Sequence, residues 1–358
     1  MMKSEIINIQ FTRLVENACD FLEQSMTDIR DKPKYSVIHF HTAIELLLKA
    51  RLLAEHWSLV ITSRKEADWN TFSKGDFVSV SLDECVKKLE KIVQSPIHEK
   101  AVKIFKNVTN HRNQMVHFYH ASHTSEERDI QTQIIIKEQL TAWYFLHELL
   151  LNQWSDIFSN HKERILEIDS KLKKLHIFLE VVYENKKEEI DSQKMKFDFL
   201  ACPACNFESA KHNKNGLDEL YEAKCLVCEF SFYNYLTKCP SCQTGNLRYL
   251  GLPYANCESC EFGAGNEILF EKCVGVDAYS AHESGLGYSF PISCGVCSGY
   301  ETVIELPNEK FLCTDCFNVE SNYGCCEWCN NPSTNLSDMT YVTGCEFCEG
   351  RMGWEKDD

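Results

Sequence analysis

The chain has 358 residues, of which 20 are cysteine, and a formal net charge of −16 at pH 7. This length is sufficient for two or more domains with hydrophobic cores. No apolar run approaches the ~20 residues that cross a bilayer, and the first residues lack the apolar stretch of a signal peptide. We therefore expect a cytoplasmic protein with no membrane contact, in which thiols stay reduced and paired cysteines indicate metal or redox chemistry.

Apolar residues recur at helical spacing through the first half of the chain. A first helix is predicted over residues 5–29, and Pro33 suits the first turn of a second helix over about 34–58. Residues 59–80 mix charged and β-branched side chains, and we expect a loop with a short extended piece there. Ser81 is a predicted N-cap for a short helix that follows.

Three longer helices complete the predicted helical region. They are expected over about 98–119, from Ser125 to about 158, and over 161–194. After residue 198 the helical periodicity stops, and short apolar segments alternate with cysteine pairs. The fold class predicted is therefore an all-α helical bundle followed by small β-containing, metal-bound units.

Eighteen of the cysteines lie between Cys202 and Cys348, and sixteen of them form CxxC pairs. The pairs are Cys202/Cys205, Cys225/Cys228, Cys239/Cys242, Cys257/Cys260, Cys294/Cys297, Cys313/Cys316, Cys326/Cys329 and Cys345/Cys348. Taken two by two, they leave 19, 14, 15 and 15 intervening residues, which is zinc-ribbon spacing. We predict about four structural zinc ions, because a set of four cysteine ligands leaves no open coordination position for catalysis.

Two features of the predicted array remain open from the sequence. Neighbouring pairs can share a zinc ion sequentially, or alternate pairs can interleave in a cross-brace. We prefer Cys326 over its neighbour Cys325 as a ligand because Cys326 has the CxxC spacing, and we assign no role to Cys273 or His282.

These patterns predict a domain order along the chain. The predicted segments are a helical domain over 1–160, a long helix or linker over 161–198, zinc ribbons over 199–236 and 237–268, a connector over 269–290, and zinc ribbons over 291–321 and 322–358.

Negative charge is concentrated in the cysteine-rich half. Residues 199–358 contain 9 Lys and Arg against 23 Asp and Glu, whereas residues 1–198 contain 28 against 30. Four Zn²⁺ ions, each held by four thiolates, would bring the net charge of residues 199–358 to about −22. Because such a surface repels phosphate backbones, we expect the array to bind a protein partner or to inhibit the chain's own helical domain, and not to bind nucleic acid.

The segment NHRNQMVHFYH, residues 110–120, concentrates site chemistry in the helical half. Asn113, His117 and His120 lie on one stripe of an ideal helix. Arg112 precedes His117 by five residues, which places it about 140° away around the helix axis. Arg112 could therefore reach the same point only from a bent helix start or from a partner subunit.

The RNQMVH segment and the upstream ELLLKARL helix together resemble the HEPN superfamily, over about residues 5–160. HEPN domains are small and all-helical, and their ribonuclease members have an RxxxxH-type motif, often with Asn after the Arg. The resemblance also implies an acidic supporting residue on the earlier helix, which corresponds to Glu45, with Lys49 a weaker correspondence. Residues 81–123 have seven Lys and Arg against four Asp and Glu, which favours RNA binding.

The resemblance implies metal-independent RNA cleavage by a homodimer of the kind found in bacterial defence or toxin systems. The RNA 2′-hydroxyl would attack the adjacent phosphate, with His117 as general acid or base, Arg112 stabilising phosphoryl charge and Asn113 orienting His117 or a phosphate oxygen. No cofactor is expected for this chemistry. Two alternatives remain: a non-catalytic dimeric adaptor with zinc units that bind protein, and a thiol–disulfide redox protein.

Overall fold

The computed structural model describes residues 2–62, 67–117, 125–215, 217–265, 267–268, 271, 292–306 and 309–354. The chain divides into two compact units, a helical unit over Met1–Asn185 and a cysteine-rich unit over Lys186–Asp358. Among the helices in the described ranges, none combines the length and apolarity needed to span a membrane.

The helical unit contains long helices joined by short connections. Its α-helices, with α9 continuing into the second unit, are α1 (Met2–Asp28), α2 (Pro33–Glu55), α3 (Trp69–Lys74), α4 (Leu82–Lys91), α5 (Glu99–His117), α6 (Ser125–Glu148), α7 (Ser155–Phe158), α8 (Lys162–Leu172) and α9 (His176–Gln193). Pro33 begins α2, as predicted. Ser81 caps α4 in a reciprocal capping box with Glu84, which confirms the predicted N-cap.

The structure differs from the sequence prediction in three places. The expected loop over 59–80 contains a 3₁₀ turn (Trp57–Val60) and α3, which the Asp68 side chain caps and Gly75 ends in a left-handed conformation. The single helix expected over 125–158 is interrupted by a π-helical turn at Leu149–Gln153.

The third difference concerns the long helix or linker predicted over 161–198. It is divided into α8 and α9 by a turn at 173–175, which no glycine or proline marks in the sequence. The boundary between the two compact units lies inside α9, and α8 lies within the helical unit.

Helix α2 occupies the centre of the helical unit and contacts α1, α4, α5 and α6. The core around it is apolar, with Leu47 and Leu48 of α2 and Trp143 of α6 inaccessible to solvent. A buried amide crosses this core: Gln139 Nε2 of α6 donates to Ser25 Oγ at 2.8 Å and to Ser36 Oγ at 2.7 Å. The amide therefore ties α6 to α1 and α2.

Substitution of Gln139 by Ala should destabilise the helical unit by about 2 kcal/mol, because it removes two buried hydrogen bonds from the serine hydroxyls. Gln133→Ala, on the exposed face of the same helix, is the matched control and should change the free energy of unfolding by less than about 0.5 kcal/mol. Urea unfolding followed by far-UV circular dichroism measures both. Equal effects of the two substitutions would contradict the role assigned to Gln139.

The cysteine-rich unit consists of short antiparallel strands. They are β1 (Asp198–Ala201), β2 (Glu208–Asn215), β3 (Leu217–Cys225), β4 (Ser231–Lys238), β5 (Asn246–Arg248), β6 (Tyr254–Asn256), β7 (Gly263–Gly265), β8 (Val303–Glu305), β9 (Phe311–Cys313), β10 (Val319–Glu320), β11 (Gly324–Cys325) and β12 (Pro332–Ser333). Strands β1 to β5 form one sheet in sequence order, and β10, β9 and β8 form another. Two short helices, α10 (Thr340–Thr343) and α11 (Gly350–Trp354), complete the unit.

These strands connect successive CxxC segments to one another. Strand β4 pairs with β3 before it and with β5 after it, so that one sheet runs through the first two CxxC segments. Tyr235 and Leu247 share a buried cluster with Ile304 and Leu312 of the third segment. Ser293 of the third segment donates its backbone N–H to Pro332 O of the fourth at 2.9 Å. The four segments therefore form a connected body.

Candidate metal centres and a polar cluster in the helical unit

The sixteen cysteines predicted as zinc ligands converge in four groups. Within each group the four Sγ atoms lie within 4.8 Å of one another. The groups are Cys202, Cys205, Cys225 and Cys228; Cys239, Cys242, Cys257 and Cys260; Cys294, Cys297, Cys313 and Cys316; and Cys326, Cys329, Cys345 and Cys348. Each group combines two neighbouring CxxC pairs, so the pairing is sequential and not interleaved.

The sulfur–sulfur distances match a zinc tetrahedron. The Sγ atoms of Cys202 and Cys228 are 3.6 Å apart, and those of Cys239 and Cys260 are 3.8 Å apart. Four thiolates with Zn–S bonds of about 2.3 Å would be separated by about 3.8 Å. A disulfide would require about 2.05 Å, and every cysteine in the described ranges is free. The four groups could thus hold about four zinc ions.

Each CxxC knuckle directs backbone amides at its sulfur atoms. The backbone N–H of Ala204 donates to Cys202 Sγ at 3.4 Å, and that of Val296 donates to Cys294 Sγ at 3.4 Å. The residue after a knuckle is often left-handed, with φ of 64° at Asn206 and 57° at Phe317. This conformation closes the tight turn and is costly for a bulky side chain such as Phe317. Zinc bound at the knuckle would offset that cost.

The remaining cysteines do not belong to these groups. Cys325 is exposed and lies outside the fourth group, which agrees with the choice of Cys326. Burial raises the pKa of Cys19 to about 11 and that of Cys85 to about 12, so both thiols stay protonated and unreactive. Cys273 and His282 lie outside the described residues.

Zinc content should distinguish the two adjacent cysteines of the fourth group. Cys326→Ser should reduce the zinc content from about four ions per chain to about three, because it removes one thiolate from a closed set of four ligands. Cys325→Ser is the matched control and should leave the content unchanged. Plasma mass spectrometry of the purified chains measures both values, and zinc loss from the Cys325 variant would contradict this ligand assignment.

Arg112 and Asn113 lie side by side on α5. Arg112 Nη1 donates to Asn113 Oδ1 at 2.9 Å, so Asn113 orients the guanidinium. His117 is the last residue of α5, and its side chain lies outside the described residues, as do His120 and His123. The helix runs without interruption from Glu99 to His117, so Arg112 is in its interior. A bent helix start therefore cannot bring Arg112 to the same point as His117.

The packing of α2 against α5 places a second polar stripe near Arg112. His41, Glu45 and Lys49 recur every four residues on α2, and Lys49 Nζ lies 4.0 Å from Glu45 Oε2. His41 is only 4% exposed, and its Nε2 has no hydrogen-bond partner among the described residues. Burial lowers the pKa of His41, Glu45 raises it, and Arg112 and Lys49 lower it further.

The sequence prediction included Glu45 and missed His41. The four-residue spacing of a histidine, a glutamate and a lysine in FHTAIELLLKA was the available signal. It did not identify the residue, because an isolated histidine on an apolar helix is commonly a core residue. We call His41, Glu45, Lys49 and Arg112 the helical polar cluster.

The exposed face of α5 is polar and contains few acidic residues. Lys103, Asn110 and Asn113 are all exposed on this helix. Its only acidic residue is Glu99, in the first turn. His111, on a different face, is held by Glu138 of α6 and so has a structural role. The arrangement provides a cationic and amide-rich surface that would attract a phosphate backbone.

The depressed pKa of His41 predicts a pH dependence of stability. Because the folded-state pKa lies below the unfolded value near 6.5, the unfolded chain binds the proton first as pH falls. The free energy of unfolding should therefore decrease from pH 7.5 to 5.5, and it should decrease less in His41→Gln. Urea unfolding of the wild type and of the variant at each pH measures this difference. The effect of pH on the cysteine groups is the same in both proteins and cancels. Identical pH slopes would contradict a neutral buried His41.

A comparison of this chain with protein-family models, curated proteins and solved structures found no significant match.

Proposed function

We propose that the helical unit is a metal-independent endoribonuclease of the HEPN type. The observation that carries this proposal is the position of Arg112. It is hydrogen-bonded to the exposed Asn113 of α5, and its charge acts on the buried His41 of α2. A fixed guanidinium at a cationic surface is suited to binding the charge that develops on phosphoryl oxygens.

Each residue has a separate role in the proposed cleavage of RNA. His117 transfers protons, since an imidazole titrates near neutral pH. It removes the proton from the RNA 2′-hydroxyl or returns one to the leaving 5′-oxygen, and the products are a 2′,3′-cyclic phosphate and a 5′-hydroxyl. Arg112 stabilises the pentavalent phosphoryl group. Asn113 positions Arg112 by accepting its hydrogen bond, and Glu45 with His41 supports Arg112 from α2.

A homodimer supports this division of roles. On an ideal helix, positions 112 and 117 are about 140° apart around the axis. A second subunit that presents its own α5 across a shared cleft would allow Arg112 of one chain to act with the partner's His117. The proposed enzyme is accordingly a dimer in which two motifs line one cleft.

The cysteine-rich unit has a different role in this proposal. Its closed four-cysteine groups have no open coordination position, and the unit is strongly acidic. We assign it to recognition of a protein partner or to regulation, as in bacterial defence or toxin systems. The alternative is a non-catalytic adaptor, which the same closed groups favour, because a bundle and four structural zinc sites are sufficient for binding proteins.

Cleavage of RNA by the purified zinc-loaded chain tests the proposal. The chain should cleave mixed RNA during a short exposure to EDTA, because no metal takes part in the reaction. His117→Ala should reduce the rate by about 10²–10⁴-fold and Arg112→Ala by about 10²–10³-fold. Arg112→Lys should recover little, since it retains the charge but loses the planar donor pair.

His98→Ala is the matched control. His98 is exposed and precedes the first residue of α5, at the opposite end from His117, so its substitution should leave cleavage unchanged. Absence of cleavage by the wild-type chain at full zinc content would reject the ribonuclease and favour the adaptor. Cleavage that persists in His117→Ala would reject the mechanism.

A further inference from the structure

The two CxxC knuckles of the fourth cysteine group differ in composition from the other six. Their sequences are Cys-Glu-Trp-Cys over 326–329 and Cys-Glu-Phe-Cys over 345–348, so each places a glutamate and an aromatic residue between two cysteines. The other six knuckles have no aromatic residue at these positions. Metal binding requires only the cysteines, so it does not account for the aromatic side chains of the fourth group.

The first of these knuckles holds Trp328 in a fixed position against α10. The backbone N–H of Trp328 donates to Cys326 Sγ, and that of Glu327 donates to Thr340 Oγ1 of α10 at 3.1 Å. The rings of Trp328 and Tyr341 meet edge to face, with their centroids 5.5 Å apart and their planes at 70°. The knuckle and α10 therefore present a preformed surface.

The apolar side chains of this surface are accessible to solvent. Met339 is 58% exposed and Tyr341 is 46% exposed, while Trp328 is half-buried. Neighbouring apolar side chains that are exposed together mark interaction sites more often than single ones do. The two rings and the thioether are thus available for contact with another molecule.

Two carboxylates accompany these side chains. Glu327 lies in the knuckle and Asp338 lies two residues before α10; both are exposed, and neither forms an ion pair with a described residue. Within the described range 322–354, Arg351 is the only cationic residue, against four acidic residues. A zinc ion held by four thiolates would add a net charge of about −2. The surface therefore has a negative potential.

We infer that the surface formed by Glu327, Trp328, Asp338, Met339 and Tyr341 binds an arginine-containing basic segment of a protein partner. We call it the aromatic–acidic surface. A guanidinium group can lie flat against an indole or phenol ring while its N–H groups donate to carboxylates. The inference rests on the protein-recognition role proposed for the cysteine-rich unit, and it names the chemistry of the partner.

Other occupants fit the aromatic–acidic surface less well. The phosphates of a nucleic acid would be repelled by the carboxylates and by the zinc-bound thiolates. A second copy of the unit would bring negative charge against negative charge. An uncharged apolar peptide would cover the rings but would desolvate Glu327 and Asp338 without providing a counter-charge.

Fluorescence anisotropy of the full zinc-loaded chain with a labelled peptide of three Gly-Arg-Ser repeats tests the inference. The peptide should bind with a dissociation constant below about 1 mM, and its affinity should fall as the salt concentration rises. A peptide with citrulline in place of arginine keeps the planar group but lacks the charge, and it should bind at least tenfold more weakly. A peptide with lysine keeps the charge but loses the planar donors, and it should bind about threefold more weakly.

Substitution of Tyr341 separates the ring from its hydroxyl group. Tyr341→Ser should weaken binding of the arginine peptide about threefold, because it removes a ring that the guanidinium contacts. Tyr341→Phe is the matched variant that retains the ring, and it should bind the peptide as the wild type does.

Substitution of the carboxylates tests the charge. Glu327→Gln combined with Asp338→Asn should weaken binding about tenfold, because hydrogen bonds to charged groups are lost. The matched control is Glu261→Gln, which removes an exposed carboxylate directly after Cys260 of the second group and should leave binding unchanged. Plasma mass spectrometry should show about four zinc ions in each variant. Asp338 lies outside both knuckles, so Asp338→Asn alone, with an expected loss of about threefold, gives a result even if Glu327→Gln releases zinc.

Several outcomes would overturn the inference. One is that no arginine peptide binds, or that the citrulline or lysine peptide binds as tightly. Another is that neither Tyr341→Ser nor the carboxylate variants weaken binding. If Tyr341→Ser abolishes binding of single-stranded RNA, the surface is a nucleic-acid site, and if it converts a dimeric chain to a monomer in sedimentation, the surface is an interface between copies; either result rejects the basic peptide.

Peptide binding and RNA cleavage are measured separately. His117→Ala should bind the arginine peptide as the wild type does. Peptide binding by a chain that never cleaves RNA would retain this inference while the ribonuclease proposal fails. Cleavage of RNA by a chain that binds no arginine peptide would retain the ribonuclease proposal and overturn this inference.

Discussion

The tetrahedral arrangement of four sulfur atoms is the constraint on which the cysteine-rich unit depends. Sγ atoms at 3.6–3.8 Å from one another are compatible with four thiolates only around a cation, since the charges would otherwise repel. Segments of this size bury too little apolar surface to fold by themselves, so metal binding would supply much of their folding free energy. The backbone N–H groups that donate to sulfur and the left-handed residues after the knuckles both help to hold the four sulfur atoms in this arrangement.

The metal centres are coupled through backbone and core. Strand β4 ends immediately before Cys239 and pairs with the strand that leads to Cys225, so the first two centres share a sheet. The third and fourth meet at Gly295, where a Cβ atom would collide with the Thr334 carbonyl oxygen. Only glycine fits this approach. Zinc bound at one centre would therefore also support the geometry of the neighbouring centre. Zinc ribbons that fold independently would not be coupled in this way.

The core of the helical unit is predominantly apolar, with buried polar groups where α2 faces α5 and where α6 meets α1 and α2. An imidazole that is 4% exposed and lacks a partner at Nε2 among the described residues costs free energy. Groups of this kind with perturbed pKa values are more frequent at functional sites than elsewhere. The charges of Glu45, Arg112 and Lys49 act on His41, which supports the proposal that any reaction takes place at the helical polar cluster and not at the closed cysteine groups.

The sequence alone determined the metal ligands, because a knuckle needs its two thiolates three residues apart and this spacing is local. It also determined the helical character of the first half and the capping of α4 by Ser81, which depend on residues one or two turns apart. Tertiary structure decided which pairs share a centre, that the four centres form one body, and that α8 and α9 are separate helices. It also brought His41 beside Arg112, which lies 71 residues further along the chain. Such contacts depend on how helices and strands pack across long separations, and no local pattern of residues specifies that packing.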